Sequence, residues 1–235
     1  MVGVECCEQN TRILKHTDEV SHIITLVVGP QQTKLRCHKV LLGFKSEYFD
    51  AACFGNFVSS ETDGLKMAND DPKTISAFVS WLYTGRIPST CGVHPTVLWV
   101  LGDRLRSSGF TNTAMHFIFA EYAKTYFQAD TAEYIYDNTS SSSKLRTFVR
   151  DLILNEGPLS GSYASGPENS WRELIRQGGD LVLDIALEGS FFCNDSEPED
   201  RPYYPDNQSK YLEPITTRPI EDFLEGKPRE GTRKI

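Results

Sequence analysis

The sequence predicts an α+β fold, with a small β-sheet flanked by helices and followed by an α-helical extension. Three observations support this prediction. Residues 22–29 and 33–37 are short stretches with strand character, separated by a glycine–proline turn. From residue 40 onward, apolar residues recur at the three- and four-residue spacing of a helix face. A third short stretch, residues 65–68, interrupts that helical pattern as a further strand.

The strands and the first helix follow one another closely. The β-branched run HIITLVVG at residues 22–29 predicts the first strand, and the alternating residues 33–37 predict a second strand that returns as a hairpin. Residues 40–53 then change to a helical period and end before Gly55, which predicts one continuous helix.

Caps and glycines mark the boundaries of the next helices. Asp71 and Pro72 are typical of a helix start, and Gly85 marks the end of the apolar stripe that follows. Pro95 starts the next helix, and residues 108–109 separate it from another amphipathic run. The sequence therefore predicts three successive helices after the third strand.

The later residues predict more helices and then a polar tail. Two helical pieces flank the serine run at residues 140–143, and one or two short helices cover residues 171–187. From Cys193 onward, prolines recur among acidic and polar residues, which indicates too little apolar surface to offset the entropy of ordering. The predicted organisation is a flexible N-terminal segment at residues 1–19, a domain at residues 20–123, a helical extension at residues 124–190 and a mostly disordered tail at residues 191–235.

Composition and charge argue against several classes of function. The 235-residue chain has 24 Lys and Arg against 32 Asp and Glu, a formal net charge of −8, and no cluster of basic residues. Direct binding to nucleic acid is therefore not expected, since neutralising phosphates requires such a cluster. No stretch approaches the ~20 apolar residues that cross a bilayer. The N-terminus also lacks the pattern of a secretory signal, so no membrane association is expected.

The cysteines and histidines are the candidate sites of chemistry in this sequence. The six cysteines show no paired spacing, which indicates reduced thiols and a cytoplasmic or nuclear location. The adjacent Cys37 and His38 raise the alternative of a small cysteine-dependent enzyme, but neighbouring strand residues point to opposite faces and do not form a nucleophile–base pair. Neither the scattered histidines nor Cys6 and Cys7 have the spacing of metal ligands. The sequence therefore predicts no catalytic residue, no metal and no cofactor.

Several stretches between Val20 and Tyr122 together resemble a BTB/POZ domain. They are ITLVVG in the first strand, CHKVLLGFKSEYFDAAC across the strand–helix junction, GNF, and LKMANDDPKTISAFVSWLYTGRI. The two helices that follow and the later YIYDNT and SSKLRTFVRDL stretches are similar to fungal-type members with a helical C-terminal extension. The resemblance implies that Cys37 and His38 lie at a structural junction between a strand and a helix.

The resemblance also implies a protein–protein interaction module that acts as a scaffold or adaptor. Family members homodimerise or recruit cullin-type ubiquitin ligases, and both alternatives stay open for this chain. Ile23 stands where many members have an aspartate, so a charged groove of that type is not expected. Cullin-binding members often carry an apolar residue and, two positions later, a glutamate. Phe57 and Ser59 occupy these places as candidate partner-binding residues, and because Ser59 lacks the carboxylate, the sequence does not favour cullin recruitment.

Overall fold

The computed structural model describes residues 22–55, 64–125, 127–156, 168–188, 198–215, 217–225 and 227. Its strands are β1 (Ile23–Val28), β2 (Thr33–His38) and β3 (Gly64–Met67). Its helices are α1 (Lys39–Lys45), α2 (Glu47–Phe54), α3 (Pro72–Thr84), α4 (Pro95–Arg104), α5 (Ser108–Tyr122), α6 (Ala129–Asn138), α7 (Lys144–Glu156), α8 (Glu168–Gln177), α9 (Asp180–Glu188) and α10 (Ile220–Leu224). Short 3₁₀ helices lie at Pro198–Asp200 and Gln208–Tyr211. The predicted α+β class is confirmed.

The three strands of the described residues form one sheet with β1 in the centre. β2 pairs with β1 in the antiparallel sense, as the predicted hairpin requires, and β3 pairs with the other edge of β1 in the parallel sense. Ile24, Leu26 and Val28 are buried and the residues between them are more exposed, the alternation expected of a strand with one face on the core. Gly29 leaves β1 with a φ of 70°, a conformation that favours glycine.

The described residues fall into two compact units. The first lies within residues 1–113 and 214–235, and the second within residues 114–213. The boundary between them falls inside α5, whereas the sequence places a domain end at residue 123. The domain bounds 20–123, 124–190 and 191–235 therefore stay predictions. Residues 1–19, predicted to be flexible, lie outside the described residues.

The core of the first unit is built around aromatic side chains. Phe49 and Phe78 stack with ring centroids 6.0 Å apart, and Phe78 meets Phe110 edge-to-face at 5.1 Å. Trp81 packs against Phe110 at 5.4 Å. Such offset and edge-to-face pairs add to the free energy already gained by burying the rings. The apolar stripe of α3 predicted from the sequence therefore faces this core.

The second unit contains the helices α6 to α9 and the 3₁₀ helices. The stripe predicted around residues 145–153 is buried on α7, with Phe148 fully buried against Phe119 at a centroid distance of 5.4 Å. Residues 171–187, predicted to form one or two short helices, form parts of α8 and α9, separated at Gly178 and Gly179. Both glycines have positive φ, which favours glycine and ends the first of the two helices.

Two predicted helix boundaries are wrong. Residues 40–53 do not form one helix, because Ser46 is extended with φ −149° and ψ 122° and separates α1 from α2. The predicted separation of two helices at residues 108–109 falls instead at residues 105–107, because α5 already starts at Ser108. In both places the local residue pattern fits a helix or a break equally well, and tertiary contacts decide the outcome.

The C-terminal tail also departs from the prediction. Residues 191–235 are predicted to be mostly disordered, yet their described part carries two 3₁₀ helices and α10. Tyr211 and Phe223 in these elements are buried. Two aromatic side chains thus find buried positions in a segment that is otherwise polar, while a mostly disordered tail over residues 191–235 as a whole stays a prediction.

Candidate functional site

The junction between β2 and α1 holds the pair of residues that suggested catalysis. Cys37 is the last buried position of β2 and is 1% exposed, whereas His38 is half-buried and precedes α1. The hydroxyl of Tyr83 accepts the backbone N–H of His38 at 3.0 Å and lies 2.8 Å from the Nδ1 of the same residue. Tyr83 belongs to α3, so this contact fixes the junction against another helix of the same unit.

The chemistry of the two buried thiols is that of structural cysteines. Burial raises the pKa of the Cys37 thiol to about 12, with a further increase from the neighbouring Cys53. Burial likewise raises the pKa of Cys53 to about 11, although Lys39 acts in the opposite direction. The thiolate is the reactive form of cysteine, so both side chains stay protonated and unreactive at neutral pH. The junction therefore lacks an activated nucleophile at Cys37.

The break between α1 and α2 is fixed by two serines. The Ser46 hydroxyl donates to the Leu105 carbonyl at 2.6 Å and accepts the backbone N–H of Phe49 at 3.2 Å, which caps α2. Ser107 donates in the other direction, to the carbonyl of Lys45 at 2.6 Å. The SEYF stretch thus contains the serine, Ser46, that connects the α1–α2 turn to the segment between α4 and α5.

The DDP and WLYTG stretches also serve helix capping and packing. Asp71 caps α3 by accepting from the backbone N–H of Thr74 at 2.9 Å and from its hydroxyl at 2.8 Å. The indole of Trp81 donates to the Thr113 hydroxyl at 3.0 Å. A Cβ added to Gly109 would lie 3.2 Å from the Trp81 ring, so a larger residue would crowd this contact. These residues cap α3 and pack it against α5.

The candidate partner-binding residues lie outside the described residues. Phe57 and Ser59 belong to residues 56–63, between the end of α2 at Phe54 and the start of β3 at Gly64. Ile23, which replaces the aspartate of many family members, begins β1 and is 53% exposed. The structure thus places an apolar side chain on the surface at this position.

The structure describes one surface that the sequence does not predict. Residues around α10 return to the first unit and pack on α1, with Phe223 buried and Arg218 paired to Asp50 at 2.9 Å. The signal in the sequence was weak. It consisted of the apolar pair Phe223-Leu224 within a run of prolines and charged residues.

In the part of the chain that the structure describes, no group of three or more His, Cys, Asp or Glu side chains is placed to hold a metal ion. No helix within those ranges combines the length and the apolar character needed to cross a bilayer. Cys37, Cys53 and Cys91 are free thiols.

The fold and the junction define a class of α+β domain in which a hairpin leads directly into a pair of helices and the motif residues serve packing and capping. The family model of the BTB/POZ domain matches residues 18–119. This part of the chain is therefore a BTB/POZ domain, a class of protein-interaction module. The resemblance to fungal-type members stays a prediction.

Two curated relatives are similar to part of the chain. Kelch-like protein 30 of Homo sapiens is 35% identical over 69 residues, which are 29% of this chain and 12% of that protein. Kelch-like protein 30 of Mus musculus is 36% identical over 67 residues, 28% of this chain and 11% of the relative. The chain thus matches only about an eighth of the relatives' length, and the similarity concerns one stretch of the chain.

Proposed function

We propose that the chain is a non-enzymatic scaffold or adaptor whose domain at residues 20–123 binds other proteins. The observation that carries this proposal is the BTB/POZ match over residues 18–119. The junction supports it, because Cys37 is buried with a raised pKa and His38 is hydrogen-bonded to Tyr83. The reduced cysteines support a location in the cytoplasm or nucleus.

A second candidate function is that of a substrate adaptor for a cullin-type ubiquitin ligase. The similarity to proteins named Kelch-like and the apolar Phe57 favour it. Ser59 opposes it, since the missing carboxylate removes a charge-assisted hydrogen bond. Such a bond contributes about 1.5–3 kcal/mol, or roughly ten-fold or more in affinity. The plain scaffold is therefore the favoured proposal.

Calorimetric titration with a cullin N-terminal domain distinguishes the two candidates. The scaffold predicts no binding of the unmodified chain at micromolar concentration. Ser59→Glu should strengthen binding by about ten-fold if positions 57 and 59 form the contact, and Phe57→Ala in the same background should remove it. Micromolar binding by the unmodified chain, lost in Phe57→Ala, would establish the adaptor and contradict the plain scaffold.

Self-association is the first protein interaction to test. We propose that the domain dimerises, because homodimerisation is common in the family and an apolar Ile23 lies exposed at the start of β1. Light scattering of the full chain should then give twice the monomer mass of 26.5 kDa. A mass of 26.5 kDa at every concentration would rule out the dimer. In that case the domain acts on other proteins only.

A further inference from the structure

An aromatic slot in the first unit is filled by the chain's own C-terminal residues. Phe223 of α10 is 2% exposed and meets Phe44 at a centroid distance of 6.0 Å and Phe54 at 5.3 Å, both edge-to-face. A Cβ on Gly43 would lie 2.6 Å from the Phe54 ring and 3.0 Å from the Phe223 ring. Glycine at this position is what leaves room for an inserted ring.

A buried acid lies beside the aromatic slot. Asp50 is 4% exposed, and its carboxylate accepts a hydrogen bond from Arg218 at 2.9 Å. The guanidinium of Arg218 also lies over the Phe223 ring, 4.5 Å from its centroid. The Asp50 carboxylate binds Arg218, and the aromatic slot binds Phe223, which lies five residues later in the chain. An arginine paired to a buried carboxylate next to an aromatic pocket is typical of the residues that dominate peptide binding.

The C-terminal segment depends on this surface for its structure. Helix α10 has five residues, whereas an isolated helix below about 12–15 residues is marginal in water. Ile220 and Leu224 pack on the same cluster as Phe223, while Glu221 and Glu225 are exposed. One face of the segment therefore makes the contacts and the other is solvated. This is the arrangement of a short helical ligand lying on a groove.

We propose that this surface, formed by Gly43, Phe44, Asp50 and Phe54, is a docking groove for short peptides of other proteins. The chain's own residues 217–225 occupy it as a built-in competitor. The partner is a peptide with an arginine five residues before a phenylalanine and aliphatic residues next to the ring. The groove goes beyond the proposed function, since the four residues that define it are not those predicted to contact a partner. An intramolecular competitor acts at a high effective concentration, so an outside peptide binds weakly until the segment is released.

The test uses the full chain and a fluorescent peptide, TRPIEDFLE, with the sequence of residues 217–225. Fluorescence anisotropy should show that Phe223→Ala binds this peptide at least about ten-fold more tightly than the unmodified chain, because its own segment no longer fills the slot. Ile215→Ala is the matched control, since Ile215 lies in the same C-terminal stretch and is exposed. It should behave as the unmodified chain does.

Further variants keep the test decisive. Arg218→Ala removes the ion pair with Asp50, the contact with the Phe223 ring and a hydrogen bond to the Lys227 carbonyl, and it should also increase peptide binding. Circular dichroism checks that each variant is folded. Peptides with alanine in place of the arginine or the phenylalanine should bind at least ten-fold more weakly. Equal affinity for the unmodified chain and both folded variants would overturn the proposal. The proposal would also be overturned if neither variant bound the peptide, or if the two alanine substitutions in the peptide left its affinity unchanged.

Discussion

Phe78 and Arg146 are both buried on helices, one in each compact unit, yet the two residues stabilise the protein by different means. Phe78 lies among other aromatic rings, with Phe110 5.1 Å away, and its contribution is the burial of apolar surface. Arg146 donates to the carbonyls of Tyr136 at 2.5 Å and Thr139 at 2.6 Å and pairs with Asp180 at 2.9 Å. Phe78 therefore stabilises its unit through buried apolar surface, and Arg146 does so through directional hydrogen bonds.

Asp151 shows the same use of polar contacts in the second unit. Its carboxylate accepts from the hydroxyl of Tyr211 at 2.9 Å and pairs with Lys210 at 2.5 Å. Both partners belong to the 3₁₀ helix at Gln208–Tyr211, so this carboxylate holds a tail segment on α7. The difference between these residues teaches that apolar periodicity reveals stabilisation by buried surface, whereas polar contacts such as Arg146–Asp180 and Asp151–Tyr211 join residues of different elements.

The largest expected effect is that of removing a buried ring from the first unit. Phe78→Ala should lower the free energy of unfolding by about 3–5 kcal/mol, because it loses the transfer free energy of the ring and leaves a cavity. Urea unfolding followed by tryptophan fluorescence measures the change. Tyr48→Ala, on the same unit but with an exposed ring, should cost about 1 kcal/mol or less. Equal losses in the two variants would show that the ring cluster is not the core.

Arg146 is the corresponding test in the second unit. Arg146→Ala should lower stability by about 2–4 kcal/mol, because buried carbonyls lose their donor. Arg146→Lys should recover little of it, since an ammonium group cannot reproduce the planar fork of donors. Hydrogen exchange of α6 and α7 amides locates the loss.

Arg176→Ala serves as the control for that variant. Arg176 pairs with Glu173 at 3.7 Å, and its side chain is 76% exposed. An exposed pair of this kind contributes about 0–1 kcal/mol, so no measurable change in exchange is expected. If the α6 and α7 amides of Arg146→Lys exchanged as slowly as those of the unmodified chain, the directional hydrogen bonds of Arg146 would not be what stabilises these helices.

The cap of α3 gives a smaller effect with a distinct pH dependence. Asp71→Ala should cost about 1 kcal/mol at pH 7, whereas Asp71→Asn should keep most of the stability, because asparagine also caps helices. The Thr74 hydroxyl holds the pKa of Asp71 below its ordinary value. The contribution of the carboxylate is therefore present above the ordinary pKa and is lost as pH falls through the lowered value. A stability difference between Asp71→Ala and the unmodified chain that persists unchanged at strongly acidic pH would contradict this.

Much of the domain could be predicted from local sequence. The β-branched run before Gly29, the cap at Asp71 and the end of α3 at Gly85 each depend on neighbours within a few residues. The break at Ser46 was missed because the apolar positions continue in register on both sides of it. What decides the break is the bond from Ser46 to the carbonyl of Leu105, 59 residues away.

The C-terminal surface could not be predicted in the same way. Arg218 lies 168 residues from Asp50 in the sequence, and a run of proline and acidic residues indicates disorder unless a distant partner is known. The slot for Phe223 exists because Gly43 is small, and the sequence around Gly43 does not indicate which ring would fill it. The candidate residues Phe57 and Ser59 remain predictions that depend on the family resemblance.

Alkylation of thiols at neutral pH tests the central claim, that the β2–α1 junction is structural and the domain acts by binding. The folded chain is treated with iodoacetamide at pH 7, and the peptides that carry Cys37, Cys53 and Cys91 are quantified by mass spectrometry. Cys91, which is partly exposed, should be modified, while Cys37 and Cys53 should react only after unfolding, because burial keeps their thiols protonated. Alkylation of Cys37 faster than that of Cys91 in the folded chain would reveal an activated nucleophile and contradict the account.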